Sequence, residues 1–358
     1  MLIKSLFKQE IEQFSRREFL KKSTTAAFSL FMLPYLENGF LKGNLIPSDS
    51  SHQQLGRILR SDVVLYDKPS FSAQALKILW KDQILPINAI TINNTDEHHN
   101  HVWYLLDNQG YTHSGVVQPV ELNLNPEIDE IPAEGQLAEV TVPYTDAVWN
   151  PARPERVSYR FYYSTVYWVK AAQRDDLGKL WYRVLDDKHK VDYFVKAKHL
   201  RLIPPEDLSQ LSPEVPAEEK RLEVLLTQQA VIAYEADKPV FMTRAATGAR
   251  FVDGDYRTEP GMYMTNRKRP TGHMAAGDPV APSSYDLPGV PWICFLTESG
   301  ISFHGTYWHN DYGLPRSHGC INLACKDALW VYRWTNPTIP PESEIRAASS
   351  GTIVKVIP

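Results

Sequence analysis

Phe303-His304-Gly305-Thr306, then Arg316-Ser317-His318-Gly319-Cys320-Ile321-Asn322, with twelve residues between His304 and Ser317, decide how the C-terminal part of this chain is read. Alternation along Ile301-Ser302-Phe303-His304 places Ile301 and Phe303 on one face of a strand and Ser302 and His304 on the other. His304 therefore points away from its apolar neighbours, toward a polar cleft. A thiol attacks a carbonyl only as thiolate, so a working cysteine needs a base or a positive field beside it. Cys320 is the one cysteine with a histidine two residues away and a glycine next to it. Gly319 permits a tight backbone bend, through which the amide N–H groups of 318–320 can converge on a developing oxyanion. Nucleophile, imidazole and oxyanion donors arrive on one short segment, which is the equipment of acyl transfer.

Outward from this segment the pattern stays mainly β. Glu223–Leu226, Ala230–Tyr234 and Val240–Thr243 read as short strands, and Pro291–Leu296 pairs with Ile301–His304 across Thr297-Glu298-Ser299-Gly300. One helix is predicted from Ala324 to Trp334, stopped by Asn336-Pro337, and Gly351–Ile357 closes as a strand. These elements make a mostly-β domain over 220–358 with minor helix. The Pro- and Glu-rich stretch 205–219 before it reads as an extended linker.

Upstream there is a repeat. Val102-Trp103-Tyr104-Leu105-Leu106 returns as Leu180-Trp181-Tyr182-Arg183-Val184, an offset of 78 residues between Trp103 and Trp181. Each copy runs through a polar turn into a second short strand, and alternation with frequent turns predicts two small barrels, 55–125 and 134–204. Trp103, Trp181, Tyr104 and Tyr182 are read as barrel core, whereas Trp168, in a run with aromatics on both faces, is the better surface candidate, with core an equal reading. His98, His99 and His101 are read as a polar loop tip rather than a metal site.

Composition removes several classes. The net charge of −4 points away from nucleic acid. The three cysteines, Cys294, Cys320 and Cys325, form neither a disulfide framework nor a zinc spacing, so no metal and no cofactor are expected. Cys294 and Cys325 are read as packing residues. Ser15-Arg16-Arg17-Glu18-Phe19-Leu20-Lys21-Lys22 precedes a modest apolar run, Ala26–Leu36, too short for an ordinary spanning helix. Residues 1–47 resemble a twin-arginine export signal with its linker, which implies handling by the export machinery and work outside the cytoplasm, in periplasm or cell wall, with an uncleaved signal as one route to retention at the membrane.

His304-Gly305-Thr306 followed by Ser317-His318-Gly319-Cys320-Ile321-Asn322 resembles the signature of the L,D-transpeptidases, the YkuD-type catalytic domain, and the repeats resemble bacterial SH3-like domains. The resemblance implies that His304 deprotonates Cys320, that the Gly305 carbonyl orients the imidazole, and that His318 lines the site. An imidazolium partner is expected to lower the Cys320 pKa. Ser317, Asn322, Arg316, Trp292 and Tyr307 are the substrate-binding candidates, and Trp292 stands where many members carry a tyrosine. The segment 306–315 is expected to be mobile, its aromatics covering the acyl site. Arg267, Lys268, Arg269 and His273 fall where the family has a lid over the donor. The implied function is an exported cysteine L,D-transpeptidase acting as a monomer on peptidoglycan stem peptides, with glycan strands as a further partner of the SH3-like domains. It forms a thioester and then 3→3 cross-links, and family members are typically acylated by carbapenems. The same residues serve an L,D-carboxypeptidase or the attachment of a wall protein. A non-catalytic wall-binding protein is the reading of another class, against which the intact His304, His318 and Cys320 set argues.

Overall fold

Alternating apolar residues become sheets throughout the chain. The computed structural model describes residues 46–47, 53–94, 98–277, 284–340, 343 and 346–358. The twin-arginine segment lies outside the described residues. No helix among the described residues is long and apolar enough to cross a membrane.

The repeat is a repeat of topology. The first unit orders its strands Ala75–Leu79, Val63–Tyr66, Gly110–His113, Val102–Leu106, Ile84–Ile92, Leu55–Ile58 and Val117–Val120, with Ile46–Pro47 added on Ile84–Ile92. The second runs Val157–Tyr162, Tyr144–Val148, Val191–Lys196, Leu180–Asp186, Val166–Arg174, Gln136–Val140 and Leu200–Leu202. Numbered by position within each unit, both orders are 3-2-6-5-4-1-7. In both, a 3-10 turn (Ser114–Val116, Ala197–His199) feeds the last strand. Trp103, Tyr104, Trp181 and Tyr182 are all buried. Strict alternation would bury only one of each pair. The opposite face of the first unit is covered as well, by Tyr66, Phe71 and His113 packed around Trp103.

The C-terminal part holds two five-stranded sheets. One orders Lys238–Arg244, Ala230–Glu235, Lys220–Leu225, Ile353–Ile357 and Gly261–Met264. The other is built from β1 (Arg267–Ala276), β2 (Tyr285–Phe295), β3 (Ser302–Thr306) and β4 (Ile321–Ala324), with Arg346–Ala347 on the edge of β1. Helix α1 (Cys325–Trp334) follows β4 directly and buries Ala328, Val331, Tyr332 and Trp334. These meet Leu222, Val224, Phe303, Ile321, Leu323 and Val354 in one core. Trp168 of the second unit belongs to that same core and is buried, which decides between the surface and core readings its sequence context left open. The segment 205–219, expected as an extended linker, instead packs down: Leu208 is buried and the Leu211 N–H donates to Arg333 O.

The basic cluster 267–269 is not a lid. Lys268 on β1 is buried, and its ammonium donates to the carbonyls of Tyr332 (2.5 Å), Thr335 (2.9 Å) and Pro337 (2.9 Å) at the end of α1. A cation there satisfies carbonyls that the last helical turn leaves unpaired. Burial lowers its pKa to about 8. Arg269 pairs with Asp187 of the second unit at 2.7 Å, and Arg267 lies over the Phe295 ring.

Arg57 is where three parts of the fold meet. Its buried guanidinium donates to Gln118 Oε1 (2.8 and 3.1 Å), to Asp82 Oδ1 (2.9 Å) and to the Tyr307 carbonyl (2.6 Å), and lies 4.0 Å from the Tyr162 ring centroid. Removing one partner of a buried charged network costs more than the network is worth as a whole, because the others stay buried. Arg57→Ala is expected to lower the unfolding free energy by about 3 kcal/mol, read from the urea midpoint of the full chain. A loss below about 0.5 kcal/mol, the size of an ordinary surface substitution, contradicts this account of the junction.

Candidate active site

The site follows from one register. β3 and β4 are parallel neighbours, with Phe303 opposite Ile321 and His304 opposite Asn322. One step back along β4, Cys320 stands level with Ser302. Side chains alternate along a strand, and residues level on adjacent strands share a face. Phe303, Ile321 and Leu323 therefore go to the core, while Ser302, His304, Cys320 and Asn322 share the opposite face. The Ser302 hydroxyl lies 3.8 Å from Cys320 Sγ, and the Ser302 backbone N–H also reaches the sulfur.

His304 is held in one tautomer. Its Nδ1 lies 3.0 Å from the Gly305 carbonyl, which can only accept, so Nδ1 carries the proton and Nε2 keeps its lone pair. A side chain at 305 would not fit: a Cβ there falls 2.7 Å from Pro291 Cγ and 3.0 Å from Cys325 Cα. Both Gly305 and the orientation of His304 are thus consequences of close packing of β3 on β2 and α1.

The turn before β4 is fixed from two sides. Ser317 Oγ donates to Cys320 O (2.5 Å) and accepts from Gly319 N–H (3.2 Å). Thr258 Oγ1 donates to Gly319 O (2.8 Å) and accepts from Gly248 N–H (2.9 Å). Gly319 sits at φ +110, a conformation closed to most side chains. Its N–H is taken by Ser317, so within 318–320 the donors left to face an oxyanion are those of His318 and Cys320. The expectation that the whole segment converges is narrowed to these two. His318 stacks on Phe251 (4.7 Å) and meets the edges of Tyr256 (4.7 Å) and Tyr285 (5.6 Å).

His304, Ser317, His318, Cys320, Arg316 and Asn322 all line one cavity of about 420 Å³. Phe251, Met274, Tyr285, Asp286, Leu287 and Trp308 complete its walls. Trp292 and Tyr307 do not line it. Trp292 is buried against Tyr332 at φ +61. Tyr307 is buried, stacked on Tyr162, with its hydroxyl on Pro288 O (3.0 Å). A larger cavity of about 700 Å³, with Gly248, Arg257, Thr258 and Pro315 in its wall, lies behind the 317–320 turn and contains neither thiol nor imidazole.

The loop between His304 and Cys320 is pinned, not loose. Asn310 N–H donates to Gly115 O and its side chain to Ser114 O (3.2 Å each), and Arg57 holds the Tyr307 carbonyl. Arg316 pairs with buried Asp311. Asn322 and His309 meet at 3.0 Å. The Asn322 side-chain N–H donates to His309 Nε2. Burial and the nearby Arg316 push the His309 pKa down to about 3. Asn322 is thus occupied in fixing the loop.

Sequence reasoning passed over Ser302, although the same alternation that selected His304 places it on the same face. Phe251 and Asp286 come from distant strands, and nothing local in the sequence marks them; Thr258, in a segment that the family resemblance includes, lies in the loop before Gly261–Met264.

Electrostatics runs against the expected ion pair. Burial raises the Cys320 thiol pKa, with the Ser302 hydrogen bonds opposing, and burial lowers His304 to about 4. Both shifts favour the neutral form of each group, because charge is costly away from solvent.

Residues 219–356 match the YkuD family of L,D-transpeptidase catalytic domains. Among solved structures the chain is similar to an L,D-transpeptidase from Mycobacterium smegmatis (20% identity, TM-score 0.32, 39% of this chain and 59% of that one). It is also similar to a mutant of an Enterococcus faecium L,D-transpeptidase (19%, TM-score 0.30, 39% and 50%) and to an L,D-transpeptidase from Xylanimonas cellulosilytica (18%, TM-score 0.26, 38% and 60%). The chain spans about half to three-fifths of the length of these proteins. No curated protein matches it.

Burial raises the Cys320 thiol pKa above that of a free cysteine, so the neutral thiol is the resting form at pH 7. Its alkylation by iodoacetamide, followed by peptide mass mapping, is expected to be slow at pH 7 and to climb through pH 9 and beyond. A fast plateau already reached at pH 6 means a resting thiolate–imidazolium pair.

Proposed function

We propose that this chain is an exported cysteine L,D-transpeptidase that acts on peptidoglycan stem peptides. The observation that carries the reading is the placement of Cys320, His304 and Ser302 on one face of the β3/β4 pair, with Cys320 and His304 lining one cavity, inside the segment that matches the YkuD family. The N-terminal Arg16-Arg17 segment supports export by the twin-arginine route, and the repeated sheets are read as SH3-like units that hold the catalytic part.

In this reading Cys320 Sγ attacks the carbonyl after the third residue of a tetrapeptide stem while His304 Nε2 takes the thiol proton. The carbonyl electron pair moves to oxygen, where the N–H groups of Cys320 and His318 face it. Collapse breaks the C–N bond; the D-Ala amine leaves with the proton from His304, and a thioester remains. An acceptor amine then loses its proton to Nε2, attacks the thioester and expels the Cys320 thiolate, which recovers the proton. A 3→3 cross-link results. Ser302 donates to the sulfur as it gains charge, and burial makes that bond count most at the moment of transfer.

Intact-protein mass after incubation with a carbapenem is expected to show one adduct in the wild type and none in Cys320→Ala. With tetrapeptide stems, mass spectrometry is expected to find cross-linked dimers. Release of D-Ala without dimer makes water the acceptor and replaces the transpeptidase reading with a carboxypeptidase.

His304 acts as base only when neutral. Its lowered pKa therefore predicts that kcat/KM holds steady down to the region of pH 5 and falls as pH drops through about 4. Ser302→Ala is expected to cost roughly tenfold to a hundredfold in kcat with little change in KM. An unchanged kcat removes Ser302 from the site.

A further inference from the structure

The first β unit and the pinned loop meet at three side chains that acyl transfer does not use. One donor atom from each of His98, His99 and Asp311 lies within 4.8 Å of the other two. His99 Nε2 stands 3.0 Å from Asp311 Oδ1, an oxygen that Asn100 Nδ2 also approaches at 3.4 Å. Two donor atoms held this close are spaced as ligands of one cation are. Around tetrahedral zinc, with bonds of about 2.0–2.1 Å, neighbouring donors stand about 3.3 Å apart.

The surroundings match a metal site. His98 Nδ1 lies against Asn100, 3.2 Å from its carbonyl and 3.3 Å from its N–H; in the tautomer that donates to the carbonyl, Nε2 keeps its lone pair, the arrangement common in ligating histidines. Asp311 gives its other oxygen to Arg316, which orients the carboxylate from outside. His113 is already engaged, with Asn100 O at 2.8 Å on one nitrogen and Gly115 N–H at 3.3 Å on the other, so it is a neighbour and not a ligand. A cavity of about 320 Å³, with His98, Trp308, Asp311 and Arg316 in its wall, leads to the cluster and leaves room for a water as fourth ligand.

We propose that His98, His99 and Asp311 bind one divalent cation of the zinc class, joining the first β unit to the loop that carries Trp308 and Arg316. Two imidazoles and one carboxylate suit a borderline-soft ion better than calcium or magnesium. The cation ties the wall of the active cavity to the neighbouring unit and takes no part in the bond-making steps.

The test uses the full chain, stripped with chelator and then dialysed against zinc, with bound metal measured by atomic emission. Wild type and Cys320→Ala are expected to retain a single zinc, whereas His99→Ala and His98→Ala retain none. His98→Ala removes a ring that packs on Phe71 and His113 but no charged partner, and it keeps the test valid if His99→Ala fails to fold. Far-UV circular dichroism of the stripped forms verifies this. Zinc is expected to raise the thermal midpoint of the wild type by several degrees and leave that of His98→Ala unmoved. Cobalt in place of zinc is expected to give visible bands of a four-coordinate nitrogen and oxygen site, without thiolate charge transfer. Absence of zinc from the wild type, its retention by His98→Ala, or its loss from Cys320→Ala each overturns the proposal.

Discussion

The parallel register of β3 and β4 is the constraint on which the rest depends. It places two residues from each strand, Ser302 with His304 and Cys320 with Asn322, on one face, and sends Phe303, Ile321 and Leu323 into the core on the other. A slip of one residue would exchange the two sets and bury the chemistry in apolar surroundings. Parallel strands cannot be joined by a tight turn and need a long crossover. Here the crossover is residues 307–320, and it contains no regular helix. Such a segment has few hydrogen bonds of its own, which explains why so many come from elsewhere: Arg57 to Tyr307, Ser114 and Gly115 to Asn310, Thr247 to Arg316 and Ser317.

The same burial that secures the register sets the electrical state of the site. His304 and Cys320 are taken far enough from water that each disfavours its charged form, in opposite directions on the pH scale. A pair held neutral at rest resists oxidation and stray alkylation, since both act on the thiolate. The cost is that charge separation must be met during the reaction. Ser302, the turn amides and the dipoles already fixed around the sulfur meet it without rearrangement.

Much of this was legible in the sequence, where the signal was local. Alternation gave the facing of His304, the Trp-Tyr repeat gave two like units, and α1 begins one residue from its expected start. What could not be read were contacts between parts distant in the chain. Trp168 carries aromatics on both sides and fits surface and core equally, until the catalytic core is seen to lie against it. Arg267, Lys268 and Arg269 look like a solvated basic run; Lys268 is basic because it caps a helix that begins 57 residues later. The segment 306–315 looks mobile because its own composition holds nothing down, and its partners belong to a unit two hundred residues upstream. Trp292 stands out in the sequence because it occupies a position where the resembling family carries a tyrosine, but at a positive φ it packs on Tyr332.

The duplicated units illustrate how one topology can do two jobs. With identical strand order, a simple translation would present the same edge of each unit to the catalytic part. The contacts differ instead. The first unit uses its first strand and its 3-10 turn, through Arg57, Ser114 and Gly115, and grips the 307–316 loop. The second uses its third and fourth strands and the turn at 186–188. There His273 of β1 lies between Asp186 and Asp286 at 2.5 Å from each, and Tyr159 donates to Asp286 at 2.9 Å. Asp286, Trp308 and Arg316 all line the cavity of Cys320 and His304. Each unit therefore holds part of its lining. Junctions this buried and this charged do not slide by small amounts, because every displaced group would be left unpaired. The width of the cavity is in consequence a property of all three parts together, and the N-terminal units act as its frame.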